Sequence, residues 1–149
     1  MREILFRGKR TDGKGWIEGF YFQKPNISST DGLPIYHGIS DLPPFGAEVI
    51  PETVGQYTGL TDKNGKKIFE GDVIRAHYAN VPPERSEHVE TVIFRNGRFC
   101  GMYANGTMKT WAGLPDGVQH LPGDRSVWMD SCEVIGNIYD NPELLNGGD

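Results

Sequence analysis

Apolar positions in this chain come in short runs broken by Gly, Pro, Asn and Asp, and no stretch sustains the i, i+3, i+4 spacing of an amphipathic helix. The pattern is that of β-strands joined by turns. Glu3 to Arg7 reads as a strand, Thr11 to Gly15 as a turn, and Trp16-Ile17-Glu18-Gly19-Phe20-Tyr21-Phe22 as the returning strand. That second strand is apolar on both faces, which predicts a central place in its sheet. Val89 to Arg95 and Arg98 to Tyr103 flank Asn96-Gly97 and are dense in β-branched and aromatic residues, the pattern of a hairpin. Asn64-Gly65 and Asn105-Gly106 are two further hairpin tips, because Asn-Gly suits a turn whose central residues need positive φ. Shorter strands are expected at Ile35–His37, Ala47–Ile50, Val54–Leu60, Asp72–Tyr78, Ser126–Met129 and Cys132–Tyr139. Only Asn141-Pro142-Glu143-Leu144-Leu145 has helical signals, an Asn cap followed by Pro at the first position, and it is long enough for one turn.

The expectation is therefore an all-β chain, a barrel or sandwich of short antiparallel strands with a short C-terminal helical turn. The 149 residues fit one domain over 1–149, or two small lobes divided near 80–88 by the polar stretch Asn80 to Glu87, which contains Pro82-Pro83. Glu70-Gly71-Asp72-Val73-Ile74 places a Gly ahead of an apolar strand, a way of turning the chain sharply, so both carboxylates are expected to serve the turn.

Composition narrows the classes of function. A net charge of −5 argues against broad attraction to nucleic acid, which requires phosphates to be neutralised by Lys and Arg. The charge is uneven: Arg2, Arg7, Lys9, Arg10 and Lys14 crowd the beginning, and no Lys or Arg follows Arg125. The beginning lacks the apolar core of a secretory signal, and no run approaches the ~18–20 apolar residues of a membrane span, so a cytoplasmic protein without membrane contact is expected. Cys100 and Cys132 are far apart and are expected to be buried and unbridged in a reducing compartment.

No catalytic or metal-binding pattern is readable along the chain. His37, His77, His88 and His120 lack metal-ligand spacing, and the looser grouping of His77, Glu84, Glu87 and His88 flanks a polar connection with no fixed geometry. Placing Gly65 at the invariant turn of a calcium loop puts Leu60 and Gly71 where carboxylates are required. No nucleophile elbow, phosphate loop or dinucleotide fingerprint occurs. Cys100 lies in an expected strand and reads as a core residue. The expectation is a protein with no catalytic residues, cofactor or metal, hence not an enzyme; an unrecognised enzyme is the lesser alternative, because paired carboxylates meet in space without any sequence signature.

Binding is the class that remains. Arg2, Arg7, Lys9 and Arg10, with Phe6 and Trp16, combine cations and aromatics as single-strand nucleic-acid platforms do. The simpler reading makes Phe6 and Trp16 core residues of a strand pair. Tyr57, Trp111, Trp128 and Tyr139 are core or contact residues, which sequence does not separate. Pro43-Pro44-Phe45 and Leu114-Pro115 lie in Gly/Pro-rich stretches suited to an exposed contact loop. The candidate binding surface is thus Arg2, Arg7, Lys9, Arg10 and Phe45. The expected partners are a second copy of the chain and an unidentified protein, with single-stranded nucleic acid as the alternative.

Three blocks of the chain together resemble the YopX family of phage and prophage proteins. They are Met1-Arg2-Glu3-Ile4-Leu5-Phe6-Arg7-Gly8-Lys9-Arg10 with Gly15-Trp16 and Gly19; Val49 to Leu60 continuing through Asp62-Lys63-Asn64-Gly65-Lys66 and Ile68 to Ile74; and Glu133 to Leu145. The resemblance implies a phage-related origin and an all-β fold with small SH3-like barrels. It implies no catalytic residue and no cofactor, and it gives no guidance for residues 27–47 and 108–125.

Overall fold

The computed structural model describes residues 3–25, 35–42, 45–77, 87–95, 97–103 and 132–145. By its contacts the chain divides into two compact units, Met1–Tyr57 and Thr58–Asp149.

In the first unit, β1 (Phe6–Lys9) and β2 (Trp16–Pro25) form an antiparallel pair with Phe6 opposite Gly19 and Lys9 opposite Trp16. The turn between them is held by Asp12. Its carboxylate accepts from the Lys14 amide at 3.0 Å and pairs with the Arg10 guanidinium at 2.6 Å. On its other side β2 pairs with β3 (Ile35–Leu42), and β3 with β4 (Phe45–Glu48). Thus β2 is a central strand, as its two apolar faces predict. After a 3-10 turn at Pro51–Thr53, β5 (Gly55–Thr61) begins on the free side of β1, with Arg7 opposite Gly55. Thr53 ties this turn to β1, since its hydroxyl accepts from the Lys9 amide at 2.9 Å and donates to the Ile50 carbonyl at 2.6 Å. Among the described residues of this unit, Ile39 and Val49 are the fully buried apolar side chains, and they close over Gly8.

The second unit opens with the end of β5, which forms a hairpin with β6 (Lys67–Phe69) around Asn64-Gly65, where Gly65 has φ 80°. A second turn at Glu70-Gly71 leads into β7 (Asp72–His77). The buried Asp72 carboxylate accepts from the Phe69 amide at 2.7 Å, and Gly71 has φ 90°. Glu70 and Asp72 thus stand at a turn, and burial raises the Glu70 carboxyl above its ordinary pKa. β8 (Glu87–Arg95) and β9 (Arg98–Tyr103) form the expected hairpin, with Phe94 opposite Phe99. β10 (Cys132–Asn137) pairs with β7, so the sheet runs β10-β7-β8-β9. Ile68, Ile74, Ala76, Val92 and Cys132 form its core, with Leu60, Phe99 and Val134 packed against them. A 3-10 turn at Pro142–Leu145 follows where one helical turn is expected.

The all-β expectation is met by two antiparallel sheets. Hydrogen bonding among the described residues closes neither into a barrel: the orders are β4-β3-β2-β1-β5-β6 and β10-β7-β8-β9. The unit boundary falls inside β5. The connection at 80–88 belongs to the second unit and lies largely outside the described residues, as do the expected strand at Ser126–Met129 and the tip at Asn105-Gly106. The strand β6 is not among those the sequence pattern predicts.

Candidate interaction surface

Alternation along β2 puts Trp16, Glu18, Phe20, Phe22 and Lys24 on one face of the first unit and Ile17, Gly19, Tyr21 and Gln23 on the other. The Ile17 face meets the core. There Tyr21 packs against Phe6 at 5.8 Å between ring centroids, and its hydroxyl shares a 2.5 Å hydrogen bond with Nδ1 of His37 and accepts one of 2.8 Å from Gln23. His37 is thus held in a strand-to-strand contact.

The Phe20 face is aromatic. Phe20 is 60% exposed, and Phe22 and Tyr36 stack at 6.0 Å with ring planes 25° apart. Gly38 lies opposite Phe22, and a Cβ there would run into the Phe22 ring and come within 2.8 Å of Cε1 of Tyr36. Both rings therefore lie down across the strand, which a side chain at 38 would prevent. A cation covers a ring toward each end of this face, Arg7 over Trp16 and Lys24 over Tyr36, both at 4.9 Å. Glu18 is exposed between them, and Glu48, opposite Gly38, adds a second carboxylate to the same face by register.

The sequence-derived candidates are dispersed by this arrangement. Arg7 is 9% exposed and lies over Trp16, so it is a packed residue of the sheet. Lys9 and Arg10 are half-buried, and Arg10 is engaged by Asp12. Arg2 lies outside the described residues. Phe45 starts β4 opposite Leu42 rather than standing in a loop, and its side chain is not among those described. Phe20, Phe22 and Tyr36 were missed as surface residues. That Phe20 and Phe22 share the parity of Glu18 and Lys24 was the available signal, but an apolar central strand reads equally well as buried on both sides.

The second unit carries a different polar arrangement. Asp62, 4% exposed, accepts from the amides of Asn64 and Lys66 on one oxygen and from the amide of Val134 on the other, each at 2.9 Å. Burial alone would raise its pKa, but the three amides and Lys66 outweigh it and hold the carboxyl below its ordinary value. Glu90 is fully buried on the core face of β8 and lies against Gly101, where a Cβ would collide with Oε2 and come within 2.9 Å of Cδ. Cys132 is buried nearby, and burial, with Asp62 and Glu90 adding their charges, pushes its thiol up to about 12. Cys100 and Cys132 are both buried thiols, which suits core residues. Among the described residues no group of three or more His, Cys, Asp or Glu could hold a metal ion, and no helix is long and apolar enough to cross a membrane. The His77 and His88 side chains and Glu84 lie outside the described set.

A family model described as YopX protein matches residues 5–146, nearly the whole chain. The chain belongs to the YopX family. None of the curated proteins matches it. Among solved structures, this YopX-family chain is similar to that of protein EF1440 from Enterococcus faecalis, at 25% identity and a TM-score of 0.48, with 97% of this chain and 99% of that one covered.

Proposed function

We propose that this YopX-family chain is a non-catalytic interaction module of phage or prophage origin that works in the cytoplasm of a bacterial host and associates with itself and with another protein. The observation that carries this reading is the ring of Phe20, 60% exposed in the middle of a regular strand and continuous with the flat pair Phe22 and Tyr36. Open apolar surface of this kind is costly in water and is repaid by a partner. Light scattering over a concentration series at low and moderate salt tests it, with a species heavier than 16.6 kDa expected. A monomer under every condition removes self-association.

A second reading, single-stranded nucleic acid stacked on the same rings, is favoured by Lys24 over Tyr36. A labelled oligonucleotide would then bind at low salt and be released as salt rises. The net charge of −5 and the carboxylates Glu18 and Glu48 weigh against it.

A further inference from the structure

The exposed face of β2 has an internal symmetry of size and charge. Inside Trp16, whose ring Arg7 covers, Glu18, Phe20, Phe22 and Lys24 stand at two-residue spacing, an acid and a base with two aromatic rings between, centred on Tyr21; Arg7, opposite Glu18 on β1, is buried and turned onto Trp16. At about 3.4 Å per residue, Glu18 and Lys24 are roughly 20 Å apart along the strand. A two-fold axis lying across β2 at residue 21, between two such faces, sets Glu18 of one copy against Lys24 of the other at both ends. The same rotation sets Phe20 against Phe22 twice in the middle. The other two-fold arrangement, with the strands parallel, sets Glu18 against Glu18 and Lys24 against Lys24. Charge therefore selects the antiparallel one.

We infer that the occupant of this face is a second copy of the chain, packed sheet against sheet through Phe20, Phe22 and Tyr36, with Glu18 and Lys24 in reciprocal pairs at the rim. The inference rests on the self-association reading above and names its interface. Aligned sheets pack about 10 Å apart with strands within about 30°, a gap that ring side chains fill and a skew that the long Lys24 chain spans. Gly38 contributes by letting the Phe22 and Tyr36 rings lie flat, so that they present faces rather than edges to the partner. An acid and a base sharing one face suit a copy of that face better than they suit a polyanion, to which Glu18 and Glu48 are repulsive.

Sedimentation of the full chain with a charge swap tests the pairing. Glu18→Lys and Lys24→Glu are each expected to weaken the dimer about tenfold at low salt, because each turns two rim attractions into repulsions. The combined variant regains wild-type assembly, and Phe20→Ser yields a monomer whose far-ultraviolet circular dichroism is unchanged. A wild-type chain that is monomeric throughout sinks the self-association reading and this inference together. A wild-type oligomer indifferent to both single swaps, or one the double swap does not restore, overturns this interface and leaves self-association standing. A labelled oligonucleotide that binds the wild-type chain and not Phe20→Ser transfers the face to nucleic acid and also overturns it.

Discussion

Asp62 holds three backbone N–H groups with two oxygens, and the third belongs to a residue 72 positions further along the chain. Asp62→Ala leaves those donors without their acceptor and is expected to cost about 2–3 kcal/mol of unfolding free energy, measured by urea titration. Because the folded carboxyl titrates below its ordinary 3.8, its contribution is complete above that pH and is lost as pH falls through the folded value. Wild-type stability should therefore drop with acidification below 3.8, and Asp62→Asn should flatten that part of the profile. Glu90 gives a second residue-scale test. Gly101→Ala drives a methyl into its carboxylate and is expected to destabilise by roughly 1–3 kcal/mol, with most of the cost removed in a Glu90→Ala background. At pH 8 a thiol reagent should leave Cys100 and Cys132 untouched in the native chain and modify both in urea, since both are buried and the Cys132 thiol is pushed up to about 12. The bond from Asp62 to Val134 was not legible beforehand, because it joins residues far apart in sequence, and although the Asn64-Gly65 tip and the β8–β9 hairpin were expected, a lone Asp or Glu carries no sign of which backbone group or glycine it will face.

At the scale of elements, much more was legible. The β8–β9 hairpin around Asn96-Gly97, the β5–β6 tip at Asn64-Gly65 and the turn at Gly71 were all announced by residues whose backbone preference is local. The strand β6 was not, because Lys67-Ile68-Phe69 is too short to alternate and is defined by its neighbours rather than by itself. The first strand lay at Phe6–Lys9 rather than Glu3–Arg7, a shift set by pairing with Trp16 to Gly19. The basic start misled for a related reason: charge composition does not say which face a strand presents, and Arg7 turned onto Trp16. Glycine turns give a graded test. Gly65 has φ 80° and open space where a methyl would stand, so Gly65→Ala should cost about 1–2 kcal/mol from backbone strain alone. Gly71→Ala should cost more, since its methyl would also lie 3.1 Å from the Tyr139 ring, and thermal melts of the two variants would rank them.

At the scale of the molecule, the boundary between the two compact units falls inside β5. Its Gly55 and Gln56 pair with β1, while Thr58 donates through its hydroxyl to the Ile68 carbonyl at 2.8 Å. Native-state hydrogen exchange at Ile39 and at Val92, whose side chains are fully buried, should be slow in both, governed in each by the opening of its own unit. The Asp62 clamp has a further consequence for how the chain is made. Synthesis runs from the N-terminus, and domains tend to fold as they emerge. The residues of the first unit are all present once Tyr57 has left the ribosome, but Asp62 must wait for Val134, and β7 for its neighbour β10. For most of its synthesis the second unit is an unfinished sheet with a carboxylate already poised to fasten its last strand, and a message cut short before that strand leaves a nascent chain open along β7.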